Sequence, residues 1–211
     1  MPNCMCGISN RRRKRSLNGE ETKPNEYPWV VKFVDSSGGC GASLITDRHV
    51  LTNQHCTRGR PVEEMKVVLG LHNNCNNIED CQNNGENVVS LSKYIEHPEW
   101  KQQIDVAILT LEEPVTFLDK IQPICLPSGV DLYEGKSALL AGWGGIEDLE
   151  SPNDNYPEQL MEANMTVSSG HCNFKHICYK NEDPFRIGCS GDSGSPVFLE
   201  ENARLQFLGC S

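Results

Sequence analysis

No run of about 18 consecutive apolar residues occurs in the chain, so no membrane-spanning helix and no membrane partner are expected. Positive charge is scarce as well. Against 29 aspartates and glutamates stand 19 lysines and arginines, a formal net charge of −10 over 211 residues. Five of those positive charges form one cluster, Arg11-Arg12-Arg13-Lys14-Arg15, and without it the remainder from Ser16 onward carries −15. Such a body lacks the basic face that phosphates need, which argues against nucleic acid as the partner. The Cys-x-x-Cys spacing of metal sites is absent although the chain has 11 cysteines, so no metal and no other cofactor is expected. An apolar signal segment is missing from the opening MPNCMCGISN, yet this many cysteines point to disulfides in an oxidising, secreted setting. The sequence is therefore expected to be incomplete at its start. Because 11 is odd, at least one cysteine has no partner within it.

What is present is a series of short apolar runs between turn residues. WVVKFVD, GASLI, HVLTN, MKVVLGL, NVVSLSKYI, DVAILTL, SALLAGW, MEANMTVS, SPVFLE and LQFLG all read as strands, and no segment has a long helical period. Strands at this spacing imply an all-β sandwich or barrels. Residues 1–15 read as a disordered basic leader. The asparagine-rich stretch 71–87 reads as a surface loop stapled by Cys75–Cys81, a pairing proposed from spacing alone. The proline-bearing stretch 113–127 reads as a crossover between two halves, and 147–158 as an exposed loop. Asn164-Met165-Thr166 is the one glycosylation sequon.

Three segments carry chemistry: HVLTNQHC, DVAILTL and CSGDSGSP. They supply a histidine (His55), a carboxylate at the mouth of an apolar strand (Asp105) and a serine among glycines (Ser193). A serine hydroxyl is a weak nucleophile until a base takes its proton, and imidazole does this near neutral pH. A carboxylate behind the ring fixes its tautomer and steadies the imidazolium. Gly191 lets its own N–H and that of Ser193 point at one spot, where an oxyanion would develop. Taken singly, each residue has a plainer explanation: a structural histidine, a strand-capping aspartate, a tight turn. Their order changes that, since histidine, aspartate, serine is one of the chain orders in which this triad is built.

On the motifs YPWVV, CGASLITDRHVLTNQHC, DVAILTL, PICLP, AGWG and CSGDSGSP, in that order, the chain resembles the chymotrypsin-like, or trypsin-fold, serine peptidases. The resemblance runs from about Cys6 to Ser211. It implies two perpendicular antiparallel β-barrels with the active site between them, the first over about 16–120 and the second over about 121–211. It implies catalytic His55, Asp105 and Ser193, an oxyanion hole from Gly191 and Ser193, and a hydrogen bond from Thr52 to Asp105. Residues 1–15 would be an activation segment: a cut after Arg15, at a sequence suited to furin-like convertases, would free Ser16, whose ammonium would pair with Asp192. The resemblance also implies the disulfides Cys6–Cys125, Cys40–Cys56 and Cys172–Cys178, leaving Cys4, Cys189 and Cys210. The protein it describes is a secreted, monomeric zymogen of a serine endopeptidase acting on polypeptides. A second reading is a non-catalytic homologue that binds partners in an extracellular cascade, and a third a disulfide-rich structural β domain.

Several positions depart from the family pattern. Ser16-Leu17-Asn18-Gly19 replaces an apolar new terminus, which would weaken the activated state. Asn53 and Gln54 replace two small residues before His55, and are expected to crowd the barrel or adjust their neighbours. Ser195 replaces a glycine. Ile187 falls on the floor of the primary specificity pocket, where it cannot neutralise a buried cation, so an apolar or small residue is expected before the cut. Leu71 stands where a calcium-binding relative offers a carboxylate, so no calcium is expected. The chain stops at FLGCS, near a wall of that pocket, so the second barrel is expected to be truncated: either the sequence is a fragment, which the complete triad and the missing start favour, or the protein is a degenerate member of the family.

Overall fold

Short apolar runs rich in valine and isoleucine between turn residues favour extended backbone, and each of the ten runs quoted above contains strand residues. The computed structural model describes residues 5–10, 20–36, 38–84, 86–99, 104–127, 129, 133–148, 151–168, 178–180, 191–201 and 204–210. Its strands are β1 (Glu20–Glu21), β2 (Val30–Val34), β3 (Gly39–Leu44), β4 (His49–Thr52), β5 (Lys66–Leu69), β6 (Asn87–Glu96) and β7 (Ala107–Leu111), followed by β8 (Ser137–Gly142), β9 (Ile146–Asp148), β10 (Ser151–Asn155), β11 (Met161–Ser168), β12 (Cys178–Lys180), β13 (Pro196–Glu201) and β14 (Arg204–Cys210). Among the described residues two short α-helices, α1 (Gln54–Thr57) and α2 (Ile78–Asn83), and a 3-10 turn at Val62–Glu64 interrupt them.

Strands β2-β3-β4-β7-β6-β5 close into an antiparallel barrel. A second, six-stranded sheet runs β1-β11-β8-β13-β14, with β12 also paired to β11. The architecture is all-β, with a first barrel and a second sheet unit. Strand β8 explains why the sequence shows unbroken apolar runs rather than alternation. Side chains alternate across a strand, and here both faces are covered. Leu139 and Ala141 join the cluster that fills the first barrel, while Ala138 and Leu140 join a second cluster with Met165, Val167, Val197, Leu199 and Leu208. Phe198 of β13 reaches the first cluster, packing at 5.0 Å from Tyr27 and edge-on at 5.4 Å from Trp29, ring centre to ring centre. Such pairs contribute about 0.5–1.5 kcal/mol each beyond area burial.

Three disulfides join described residues: Cys6–Cys125, Cys40–Cys56 and Cys75–Cys81. The first closes 119 residues and fastens the leader, whose Gly7 N–H also donates to Pro123 O at 2.8 Å. Cys172, Cys189, Arg15, Ser16 and Ile187 lie outside the described residues, and so does the Cys172–Cys178 pairing. Three expectations need correction. The leader is not disordered throughout: residues 5–10 are held to the body by Cys6–Cys125 and by backbone bonds such as Asn10 N–H to Glu26 O at 3.1 Å. The stretch 71–87 is not all loop: Asn77 caps α2 by accepting from Asp80 N–H at 2.9 Å, and Glu79 and Asp80 in the first turn suit the helix dipole. The expected loop 147–158 contains most of an antiparallel hairpin, β9 with β10. Asn164 sits within β11, half-buried and opposite Leu139.

Candidate active site

The ladder between β4 and β7 brings the first two residues together. Thr52 pairs with Ala107, so the chain leaving β4 and the chain entering β7 meet at one rim of the barrel. His55 rides on α1 just past that rim, and Asp105 lies just before β7. His55 Nδ1 is 2.6 Å from Asp105 Oδ2, and the backbone N–H of His55 donates to Asp105 Oδ1 at 2.8 Å. Two contacts from one residue to both oxygens fix the carboxylate plane relative to the ring. The pair is not sunk in the core: the side chains remain 45% and 31% exposed, which leaves the imidazole open to a ligand.

Strand β3 is the frame shared by His55 and Ser193. Cys40, in β3, is bonded to Cys56, the neighbour of His55. Gly41, the next residue in β3, donates its N–H to Ser193 O at 2.7 Å. The imidazole and the serine backbone therefore flank one sulfur: Cys56 Sγ is 3.6 Å from His55 Nε2 and 3.9 Å from Ser193 O. No hydrogen bond joins the Ser193 hydroxyl to His55 Nε2 among the described residues; catalytic bonds of this kind often form only with substrate in place. Cys40, His55 and Cys56 bring candidate ligand atoms within 4.8 Å of one another, but the disulfide removes both thiolates, so the cluster does not suit a metal ion.

The serine turn is built on glycine. Gly191 has φ +95°, a conformation costly for other residues, and a Cβ there would lie 2.9 Å from the ring of Tyr156. Ser195 N–H closes the turn on Asp192 O at 2.7 Å. The Asp192 carboxylate is buried and accepts from Gly144 N–H at 2.8 Å. Ser195 is fully buried, and its hydroxyl has no hydrogen-bond partner among the described residues.

The role expected of Thr52 is corrected. Its single hydroxyl proton goes to Gly41 O at 2.8 Å, leaving none for Asp105. Asn53 takes that place, with Nδ2 3.3 Å from Asp105 Oδ2. Sequence reasoning also missed Tyr156, because a tyrosine in a polar stretch carries no signal that it will stand beside Gly191.

Beside Tyr156 lies a cleft of about 430 Å³, with Asn73, Asn74 and Asn76 on one side and residues 156–159 on the other. Its walls are tied together by Asn74 N–H to Glu158 O at 2.6 Å and Leu160 N–H to His72 O at 2.9 Å. Lys32 stands behind it. Its ammonium donates to Asn74 Oδ1 and lies 5.6 Å from the centre of the Trp143 ring. Burial pulls its pKa from 10.5 down to about 8, an effect the Asp80 charge partly offsets. The unfolded chain therefore holds this proton up to higher pH than the folded one. Stability contributed by Lys32 is lowest below about pH 8 and rises from there to about 10.5. The stability of the wild type minus that of Lys32→Met, from urea unfolding, is expected to rise by roughly 1–3 kcal/mol over that window. A flat difference would refute the desolvation of Lys32.

Two β units, with a histidine and an aspartate on the first and a serine leading into the second, are the architecture of the chymotrypsin-like serine peptidases. The family model described as Trypsin matches residues 16–210, and the chain belongs to that family. Among curated proteins it is 30% identical over 222 residues to a proclotting enzyme of Tachypleus tridentatus, covering 92% of this chain and 58% of that protein. It is 31% identical over 217 residues to phenoloxidase-activating factor 3 of Holotrichia diomphalia, covering 89% of this chain and 60% of that protein. The chain thus spans about three fifths of the length of each of these relatives.

Proposed function

We propose that this chain is the peptidase part of a secreted zymogen, a serine endopeptidase that cuts polypeptides in an extracellular cascade. The His55–Asp105 pair carries the reading, at 2.6 Å and with a second contact to the backbone. The disulfides suit an oxidising compartment. The names of the relatives, one for clotting and one for phenoloxidase activation, favour a protein substrate in a cascade.

In this mechanism Ser193 Oγ attacks the peptide carbonyl while His55 Nε2 accepts its proton. The N–H groups of Gly191 and Ser193 hold the oxyanion. His55 then protonates the leaving amine, and water hydrolyses the acyl-enzyme by the same proton route. Activation follows cleavage after Arg15 by a furin-like protease, freeing Ser16 to pair with Asp192. Ile187 favours an apolar or small residue before the cut. The active form is a monomer.

The test is mass spectrometry of the full-length, Arg15-cleaved protein after exposure to an organophosphonate bearing an apolar side chain. The expected result is one adduct, on Ser193, and none on Ser193→Ala. Absence of the adduct, together with no hydrolysis of peptide esters, would favour a non-catalytic binding homologue.

A further inference from the structure

An asparagine directly before a helix ordinarily turns its side chain inward to accept from the first free N–H groups. Asn53 occupies that place ahead of α1, with φ −79° and ψ 145°, yet makes no such side-chain bond. Its amide is nearly buried, and Nδ2 faces the oxygen of Asp105 that also receives the ring of His55. The NH₂ end must be the one that points there, because a carboxylate oxygen accepts and cannot donate.

The next residue makes a matching contact on the other side. Gln54 is 3% exposed, and its Nε2 donates to Glu96 Oε2 at 2.9 Å. Thr57, at the far end of α1, donates to Gln54 O at 3.0 Å and lies 3.4 Å from Glu96 Oε1. The four-residue turn that carries His55 is thus fastened to two carboxylates, one in front of β7 and one at the end of β6.

We propose that Asn53 is a positioning residue for the His55–Asp105 pair, its amide holding the carboxylate in the orientation that receives the imidazole. The proposal rests on the peptidase reading for its kinetic consequence but not for its geometry. Oδ1 of Asp105 is held by the His55 backbone, but among the described residues Oδ2 would otherwise be aligned by the imidazole alone. The carboxylate is also 31% exposed, so water competes for it. A second fixed donor on Oδ2 limits rotation of the carboxylate and keeps Nδ1–H as the tautomer that frees Nε2 to act as base. The amides of Asn53 and Gln54 therefore do more than fill the space left by two small residues.

The experiment compares Asn53→Ala and Asn53→Asp in the full-length, Arg15-cleaved protein, with thermal unfolding to confirm that each folds. Asn53→Ala removes the donor without adding charge, and Asn53→Asp keeps the shape but adds to that loss the repulsion of a second carboxylate beside Asp105. The expected result is a kcat about tenfold lower in Asn53→Ala, lower still in Asn53→Asp, with KM within about twofold in both. A second readout needs no activity: the far-downfield proton NMR resonance of His55 Nδ1–H should move or broaden in both variants. Wild-type kcat and an unmoved resonance in both would overturn the proposal. Should the wild type itself neither hydrolyse esters nor take the phosphonate, the peptidase reading falls, and the resonance alone decides the role of Asn53.

Discussion

Asp105→Asn is expected to lower kcat/KM for peptide esters by about ten-thousand-fold, or about 5.4 kcal/mol of transition-state stabilisation, with little effect on folding. The reason is the tautomer. Asp105 Oδ2 faces His55 Nδ1 at 2.6 Å and offers only lone pairs, so the ring proton sits on Nδ1 and Nε2 is free to take the serine proton. An asparagine in the same place can present its NH₂ to Nδ1, which moves the ring proton to Nε2 and blocks the base. It also removes the charge that steadies the imidazolium. The fold should tolerate the change because Asp105 is partly exposed and lies outside the strand ladder, one end of the new amide still accepting from the His55 backbone. Stopped-flow kinetics on the Arg15-cleaved protein, beside urea unfolding, provide the measurement. A loss under tenfold, with Ser193→Ala inactive, would mean that the imidazole finds its tautomer without this carboxylate.

Legibility in the sequence followed burial and local chemistry. Strand β8 was readable because both of its faces are covered, which turns SALLAG into one apolar run. His55, Asp105 and Ser193 were readable as motifs, but local sequence alone did not show how His55 and Asp105 meet; that came only through the family resemblance. Fifty residues separate His55 from Asp105, and only the register Thr52 to Ala107 brings them to one rim. Asn53 took the role expected of Thr52 because the last residue of β4 and the residue before α1 face different ways, a matter of where the strand ends. Helix α2 was hidden by its asparagine-rich composition, although the asparagine at 77 is its cap. Lys32 was hidden for the opposite reason: a lysine among valines reads as a solvent-facing charge, whereas this one lies under Asn74 and Trp143. Polar residues that bury themselves against a distant segment leave no local trace.

The same coupling between distant segments makes Gly144→Ala the second large effect. Gly144 lies in the AGWG motif, far from Ser193 in sequence, but its N–H holds Asp192 Oδ1 at 2.8 Å. A methyl group there would overlap the Asp192 carboxylate. The backbone at 144 has little room to retreat, since the preceding Trp143 is buried and its indole N–H is tied to His72 O at 3.0 Å. The carboxylate must therefore move, and Asp192 is a link in the turn closed by Ser195 N–H on its own carbonyl. Displacing it tilts the N–H groups of Gly191 and Ser193 away from the spot where the oxyanion would form. A kcat lower by about a hundred- to a thousand-fold is expected, the usual loss for a misplaced oxyanion donor, with stability lower by about 1–3 kcal/mol from overpacking. Gly129→Ala is the matched control, because no described residue lies within 4 Å of a Cβ at that position. Wild-type kcat and melting temperature in Gly144→Ala would mean that the carboxylate of Asp192 can shift without disturbing Ser193. The serine would then owe its position to the bond between Gly41 and its own carbonyl.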